Sequence, residues 1–125
     1  MKVAGIGFRG VATATDLQAA LALTGERVDA LASIAEKAET PAMQEFARST
    51  GLPVIALQES DIAGEQTLTC SPRIKARFAT GSLAEAAALA GARHGARGAR
   101  ARLLAPRVVT ADGLATAAIA ERLEP

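Results

Sequence analysis

The residues best suited to chemistry stand near the start of the chain, where a short apolar segment runs into Gly5, Gly7, Phe8, Arg9 and Gly10. Glycines at this spacing let backbone amides approach a ligand closely, and the Arg9 guanidinium adds a fixed positive charge beside them. This combination is typical of an anion site at the turn after a strand. The same spacing also satisfies the glycine pattern of dinucleotide-binding turns, and a tight turn without a ligand is the structural alternative.

Further candidates follow the second and fourth predicted strands. Glu36 and Lys37 come directly after the second strand, and Arg107 comes after the fourth. Lys37 and Arg107 could supply spaced cations for an anionic ligand, while Glu36 could serve a ribose. The structural alternative for Lys37 is an exposed ion pair with Glu39, which would contribute about 0 to 1 kcal/mol.

A third set of candidates surrounds a predicted helix start. Thr80 and Ser82 precede an alanine-rich segment, and a helix N-terminus can bind a carboxylate. Ser82 and Glu85 also have the spacing of a capping box, in which Ser82 accepts from the amide of Glu85 and the Glu85 side chain reaches back. We expect capping to be the main role of this pair.

Groups that could act as a general base or nucleophile are few, and their order along the chain matches no catalytic constellation. They are Glu36, Glu39, Asp61, Cys70 and His94. Because Cys70 is the only cysteine, an internal disulfide and a multi-cysteine metal cluster are excluded, which suits the cytoplasm. His94 has no companion ligand, so we predict no metal or cofactor site.

Length and charge exclude several classes of protein. The 125 residues fit a single domain, residues 1–125, and 14 basic against 13 acidic residues leave a net charge of +1. This balance gives no general attraction to nucleic acid or to anionic membranes. No apolar run approaches the roughly 20 residues that span a bilayer, so no membrane association is expected.

The elements that must position these residues alternate between strands and helices, which indicates an α/β fold. Strands are predicted at about residues 2–7, 31–34, 52–57, 102–105 and 114–120. Helix starts are predicted at Thr13 or Thr15, Thr40, Ser71 and Ser82, and helix ends at Gly25, Gly51 and Gly91. Residues 58–68 read as a connection with one helical turn around Asp61.

The link between the last two predicted strands, residues 106–113, is too short for a parallel crossover. We therefore expect three αβα layers around a mostly parallel sheet of about five strands, the last of them antiparallel. Ligands of such sheets collect at the carboxyl ends of the strands. The candidate cations are expected to meet there.

Several segments, in their joint order and spacing, resemble the CobE family of the aerobic cobalamin pathway. This family is similar to the C-terminal domain of CbiG, the cobalt-precorrin-5A hydrolase. The matching segments are residues 5–10 with Thr13, residues 35–39, 80–89 and 115–120. Arg107 stands where the family usually has a lysine, which keeps the charge but alters the donor geometry.

The resemblance implies a role in building the corrin ring of vitamin B12, by binding or handing on a corrinoid or precorrin intermediate. Corrin precursors are apolar macrocycles rimmed with carboxylates, so their receptor needs an apolar wall with spaced cations and backbone donors. Two alternatives remain open. One is a small hydrolase that opens a lactone on such a compound; the other is a dinucleotide-binding module.

An arginine cluster formed by Arg93, Arg97, Arg100 and Arg102 precedes and enters the fourth predicted strand. It lacks the aromatic residues that a nucleic-acid site would use for stacking. It is either a solvated loop, an attractor for a multiply carboxylated ligand, or a docking surface for an acidic face of another pathway enzyme. Binding through it should weaken at raised salt.

Overall fold

The chain folds around one β-sheet that carries helices on both faces. The computed structural model describes residues 1–96 and 98–123. The strands are β1 (Lys2–Phe8), β2 (Ala30–Ile34), β3 (Val54–Leu57), β4 (Arg100–Leu103), β5 (Val108–Val109) and β6 (Ala115–Leu123). The helices are α1 (Ala14–Thr24), α2 (Ala35–Ala38), α3 (Pro41–Thr50), α4 (Glu59–Ile62), α5 (Pro72–Phe78) and α6 (Leu83–Arg93).

The strand order is β3-β2-β1-β6-β4, and β5 also pairs with β6. The pairs β1–β2 and β2–β3 are parallel, whereas β6 is antiparallel to β1, β4 and β5. Five strands therefore run in one direction and the last runs in the other. This confirms the predicted α/β fold with an antiparallel last strand.

Local capping signals decide where the first helices begin and end. The Thr13 side chain accepts from the Asp16 amide at 3.4 Å, and the Asp16 carboxylate accepts from the Thr13 amide at 2.8 Å. Thr40 caps α3 in front of a first-turn proline. Gly25 and Gly51 end α1 and α3 in the left-handed conformation that favours glycine.

The two faces of the sheet have separate cores. On one face, α1 and α3 pack Leu17 and Phe46 against β1 and β2. On the other face, the alanine-rich α6 lies across the middle of the sheet with Ala84, Ala86, Ala87, Ala88 and Leu89 in the core. Small side chains let this helix come close to the strands, which is why so few aromatic residues suffice to fill the core.

Gly5 and Gly91 mark the closest approach of α6 to the sheet. A Cβ added at Gly5 would lie 2.0 Å from the carbonyl oxygen of Ala84, and one at Gly91 would lie 2.8 Å from Cβ of Ala32. Gly91 was expected to end α6. The helix instead continues to Arg93, because this glycine serves helix-to-strand contact rather than capping.

Among the residues described, no helix combines the length and apolarity that crossing a membrane requires.

Candidate functional site

Lys37 and the end of β1 meet at the carboxyl edge of the sheet, as the parallel order of β1 and β2 predicts. β2 ends at Ile34 and leads directly into α2, which holds Lys37 beside Phe8. The Lys37 Nζ donates to the carbonyl oxygen of Phe8 at 2.6 Å and lies 4.8 Å from the centroid of its ring. This is a cation-π contact combined with a hydrogen bond. Among the ion pairs of the described residues there is none between Lys37 and Glu39.

The charge on Lys37 is only partly compensated. The side chain is half-buried, and this burial lowers the pKa of Lys37, while the charge of the neighbouring Glu36 opposes the shift. Within residues 1–96 and 98–123, no carboxylate lies within 4.0 Å of the Lys37 ammonium. Burial takes water away from the ammonium and so penalises its charged form. An anionic ligand would replace the lost interactions with water.

Arg9 follows Phe8, whose carbonyl oxygen accepts from Lys37, so the Arg9 backbone lies next to the Lys37 ammonium. Its amide donates to the carbonyl oxygen of Leu114 at 2.9 Å, and its own carbonyl accepts from Ala12 at 3.0 Å, so the backbone of the turn is fixed. The exposed Arg9 side chain makes no ion pair with a residue of the described ranges. Gly10 is exposed with open space around its Cα, and so its backbone is accessible to a ligand.

Two other glycines of the opening motif are explained by packing. Gly5 lies beneath α6, as described above, and Gly7 faces Thr116 of β6. A Cβ at Gly7 would lie 2.8 Å from the Thr116 hydroxyl oxygen, which donates to the Gly7 carbonyl oxygen at 3.2 Å. Gly5 and Gly7 therefore have structural roles, whereas the backbone at Gly10 is accessible to a ligand.

The N-terminus of α6 points toward the same edge. The amide nitrogen of Ala84 lies 3.7 Å from the Cβ position of Gly7. Ser82 is buried and caps the helix by accepting from the amide of Glu85 at 3.2 Å. Thr80 is also buried, and its hydroxyl donates to the carbonyl oxygen of Glu65 at 2.9 Å. Both side chains thus have structural hydrogen bonds, while the helix end adds positive potential.

The Glu85 carboxylate does not reach back to the cap, so this half of the predicted capping box is wrong. It is fully buried and accepts from three backbone amides instead: Leu68 at 2.8 Å, Thr69 at 2.9 Å and Arg107 at 2.7 Å. These bonds tie two loops to the first turn of α6. They satisfy a buried charge whose removal from water would otherwise be costly.

Arg107 lies apart from the other two cations. The strand before it ends at Leu103, which is paired with Ala120, and Ala120 is paired with Val3 near the start of β1. Arg107 itself comes directly before Val108, whose partner Ala117 is paired with Ile6, so it lies near the level of the carboxyl edge but on the far side of β6 from β1. Its amide is held by Glu85 on the α6 side of the sheet, with β6 between it and β1. The structure brings together Arg9 and Lys37, and places Arg107 across β6.

Two exposed valines border the edge, and neither was a sequence candidate. Val11 follows Gly10 and is 77% exposed, and Val109 of β5 is 45% exposed. Val109 is paired with Thr116, which is paired with Gly7, so it lies about 10 Å from Gly7 across two strand spacings. With the Phe8 ring, these side chains offer apolar contact beside the cations. The sequence did offer one signal for Val11, since it is an apolar residue in a loop that contains glycines.

The groups that could have formed a catalytic centre are dispersed. Cys70 is exposed near the start of α6, and His94 caps its far end, about 16 Å away along an 11-residue helix. The Asp61 carboxylate accepts from the Gln58 amide at 2.8 Å. In the part of the chain that the structure describes, no three His, Cys, Asp or Glu residues form a metal-binding group.

The start of α1 disfavours the dinucleotide alternative. In that fold a pyrophosphate sits at the first helix N-terminus. Here the Asp16 carboxylate occupies this position, accepting from both the amide and the hydroxyl of Thr13. The Asp16 carboxylate would repel the negative charge of a pyrophosphate at this helix end.

Comparison with known proteins agrees with this fold. The family model described as Cobalamin synthesis G C-terminus matches residues 2–120. The chain belongs to this family. A crystal structure of CobE, a protein from the cobalamin (vitamin B12) biosynthetic pathway, is 33% identical over 99% of this chain and 91% of that chain, with a TM-score of 0.81.

A second solved structure, the cobalamin biosynthesis protein chiG from Agrobacterium tumefaciens, is 32% identical over 97% of this chain and 98% of that chain, with a TM-score of 0.71. A search of curated proteins found no match. The resemblance seen in the sequence is thus confirmed, and the domain is one of cobalamin biosynthesis.

Proposed function

We propose that this domain binds a corrin intermediate with free carboxylates at the carboxyl edge of its sheet. The observation that carries the proposal is the half-buried ammonium of Lys37, which no described carboxylate neutralises, together with the nearby Arg9, whose guanidinium forms no ion pair with a described residue. Cations held in this way favour ligands with negative groups spaced along a rim. Family membership supplies the class of compound.

The rest of the edge suits the apolar body of a macrocycle. Phe8, Val11 and Val109 supply apolar surface near the cations. The backbone at Gly10 is open, and the N-terminus of α6 adds a region of positive potential. Glu36 raises the pKa of Lys37 and so helps to keep the ammonium charged until a ligand arrives. Arg107 could contact a peripheral group only of a ligand that extends across β6.

Binding or transfer is favoured over lactone hydrolysis as the role of this chain. A hydrolase needs a nucleophile that a base activates, whereas the thiol of Cys70 and the imidazole of His94 lie at opposite ends of α6. The exposed, unpaired Cys70 supports a cytoplasmic location, where thiols stay reduced. Other enzymes of the pathway are the natural recipients of the ligand.

A visible absorption titration tests the proposal. The purified chain is mixed with a corrin polycarboxylate such as cobyrinic acid, and separately with the same macrocycle whose carboxylates have been converted to amides. We expect a saturable band shift with the polycarboxylate, and binding weaker by about tenfold or more for the amide form. No shift with either compound would remove the proposal. Lactone opening by the chain alone would favour the hydrolase.

A further inference from the structure

The outer edge of β4 is an open strand edge, remote from the carboxyl edge. β4 (Arg100–Leu103) ends the strand order and pairs only with β6 on its inner side. Within residues 1–96 and 98–123, no strand pairs with its outer side. An open strand edge is a template on which an extended segment of another chain can add a strand.

The backbone groups on this edge are available. The amide of Leu104 donates to the carbonyl oxygen of Ile119 at 2.9 Å, and β4 continues this antiparallel ladder toward Arg100. Because alternate residues face the partner strand, Ala101 and Leu103 turn their N–H and C=O groups outward. No described residue outside the sheet forms a backbone hydrogen bond with them.

A groove of about 500 Å³ lies along the same edge. Leu68, Leu89 and Leu103 give it apolar walls, and Leu68 is 60% exposed. Its polar lining consists of Gln66, Arg102 and the ion pair between Glu65 and Arg93. An added strand would direct every second side chain toward this groove, where the three leucines offer contact to apolar side chains.

The opposite face of β4 is basic. Arg100 and Arg102 alternate with Ala101 and Leu103 and are exposed. Arg102 is paired with Glu121 at 2.8 Å, whereas Arg100 has no ion pair with any residue that the structure describes. An added strand would place its other side chains on this face, and acidic residues there would complement the arginines.

The same arginines oppose pairing with a second copy of this chain. A twofold antiparallel pair that used the outward groups of both Ala101 and Leu103 would set Arg102 directly opposite its counterpart. Like charges in directly opposite positions destabilise a sheet. The charge pattern thus selects a different, acidic chain.

We propose that the outer edge of β4 binds an extended segment of a partner protein in which acidic and apolar residues alternate. The acidic side chains face Arg100 and Arg102, the apolar side chains enter the groove, and the partner backbone bonds to Ala101 and Leu103. The partner lies on a different part of the molecule from the corrin ligand, so this proposal stands or falls independently of the proposed function.

Fluorescence anisotropy with the full chain tests it. The probe is a labelled peptide of about eight residues alternating Glu and Val, and the reference peptide replaces Glu by Lys. We expect saturable binding of the Glu peptide, weaker by about tenfold or more for the Lys peptide and for the variant Arg100→Glu. The matched control Arg48→Glu, an exposed arginine on α3, should bind as the unchanged protein does.

A peptide methylated on alternate backbone nitrogens tests the hydrogen bonds without altering the protein. Methylation of the nitrogens that face β4 should abolish binding, and methylation of the other set should not. Equal binding of the Glu and Lys peptides, no effect of Arg100→Glu, or indifference to methylation would each overturn the proposal. So would a dimer in sedimentation that Arg100→Glu dissociates, because a second copy would then occupy the edge.

Discussion

At the scale of single residues, Lys37 carries a charge that the fold leaves partly uncompensated. Its ammonium has a carbonyl oxygen and an aromatic ring as neighbours, and burial lowers its pKa. Purely structural lysines usually avoid such a position, since an exposed ammonium costs nothing in desolvation. This is the ground on which we propose a ligand for Lys37.

The pH dependence of binding should report on this lysine. The folded pKa of Lys37 lies below the ordinary 10.5, so affinity for a carboxylate ligand is expected to be constant below that pKa and to fall above it, by up to about tenfold per pH unit. Corrin titrations between about pH 7 and pH 10 measure the profile. In Lys37→Arg the fall should disappear, because a guanidinium stays charged.

An identical pH profile in Lys37→Arg would contradict the role of the ammonium.

The stability of the unliganded protein should change with pH in the opposite direction to the ligand affinity. A depressed lysine pKa means that the unfolded state binds the proton more tightly, so the contribution of Lys37 to stability increases as pH rises through the folded pKa. Chemical denaturation at several pH values measures it.

Gly5 supports the fold rather than the ligand, and a methyl group distinguishes the two roles. We expect Gly5→Ala to lower the free energy of unfolding by about 3 kcal/mol or more, because the new Cβ would meet backbone atoms of α6, Ala84 O at 2.0 Å and Ala88 N at 2.4 Å. Urea denaturation measures the change. The control Gly10→Ala has open space and should change stability by less than about 1 kcal/mol. Equal stability of both variants would be inconsistent with the close packing.

At the scale of elements, Glu85 joins the first turn of α6 to two loops. Its two carboxylate oxygens receive the amides of Leu68, Thr69 and Arg107, which are 17, 16 and 22 residues away. The negative charge also lies in the first turn of the helix, where the helix dipole stabilises it. This residue fixes the frame around the N-terminus of α6.

Replacing Glu85 by glutamine should loosen that frame. A glutamine offers one acceptor oxygen, and its NH2 group would face an amide donor, so we expect a loss of about 1 to 3 kcal/mol in the free energy of unfolding. Hydrogen exchange at the amides of Leu68, Thr69 and Arg107 should accelerate with it. The exposed Glu45→Gln on α3 serves as the control. Unchanged exchange in Glu85→Gln would show that the three bonds do not hold the loops.

Sequence predicted the elements where the signals are local. A cap at Thr40 and a left-handed glycine at Gly51 involve neighbours within four residues, and both are observed. The two residues of β5 were missed because a strand of that length has no readable alternation. The partners of Glu85 were missed because they are distant in the chain, while the capping-box pattern suggested a nearby one.

The candidate site, like the helices and strands, could be predicted from the sequence only in part. Phe8 ends β1 and Lys37 follows β2, and the carboxyl ends of these adjacent parallel strands must lie at one edge, so the proximity of the two residues followed from topology. The separation of Arg107 from the other cations arises because β6 lies between β1 and the strands β4 and β5, and this insertion of the last strand is a tertiary property that spacing alone does not reveal. Val109 became a candidate only through its pairing with Thr116.

At the scale of the whole molecule, our two proposals assign two surfaces to two kinds of partner. The carboxyl edge offers cations and apolar side chains to a small anionic ligand, and the outer edge of β4 offers backbone groups and arginines to a peptide segment. Because the net charge is only +1, neither surface depends on a long-range electrostatic field of the whole protein. A carrier that holds an intermediate at one surface can dock through the other without releasing it.

The corrin affinity of two double variants with the same change in net charge tests the central claim most directly. Arg9→Gln with Lys37→Gln removes the cations of the carboxyl edge, whereas Lys2→Gln with Arg48→Gln removes cations at the start of β1 and the end of α3, at the opposite edge. We predict that the first variant binds cobyrinic acid about 100-fold more weakly and the second within about threefold of the unchanged protein. Equal affinities of the two variants would contradict a ligand site at the carboxyl edge.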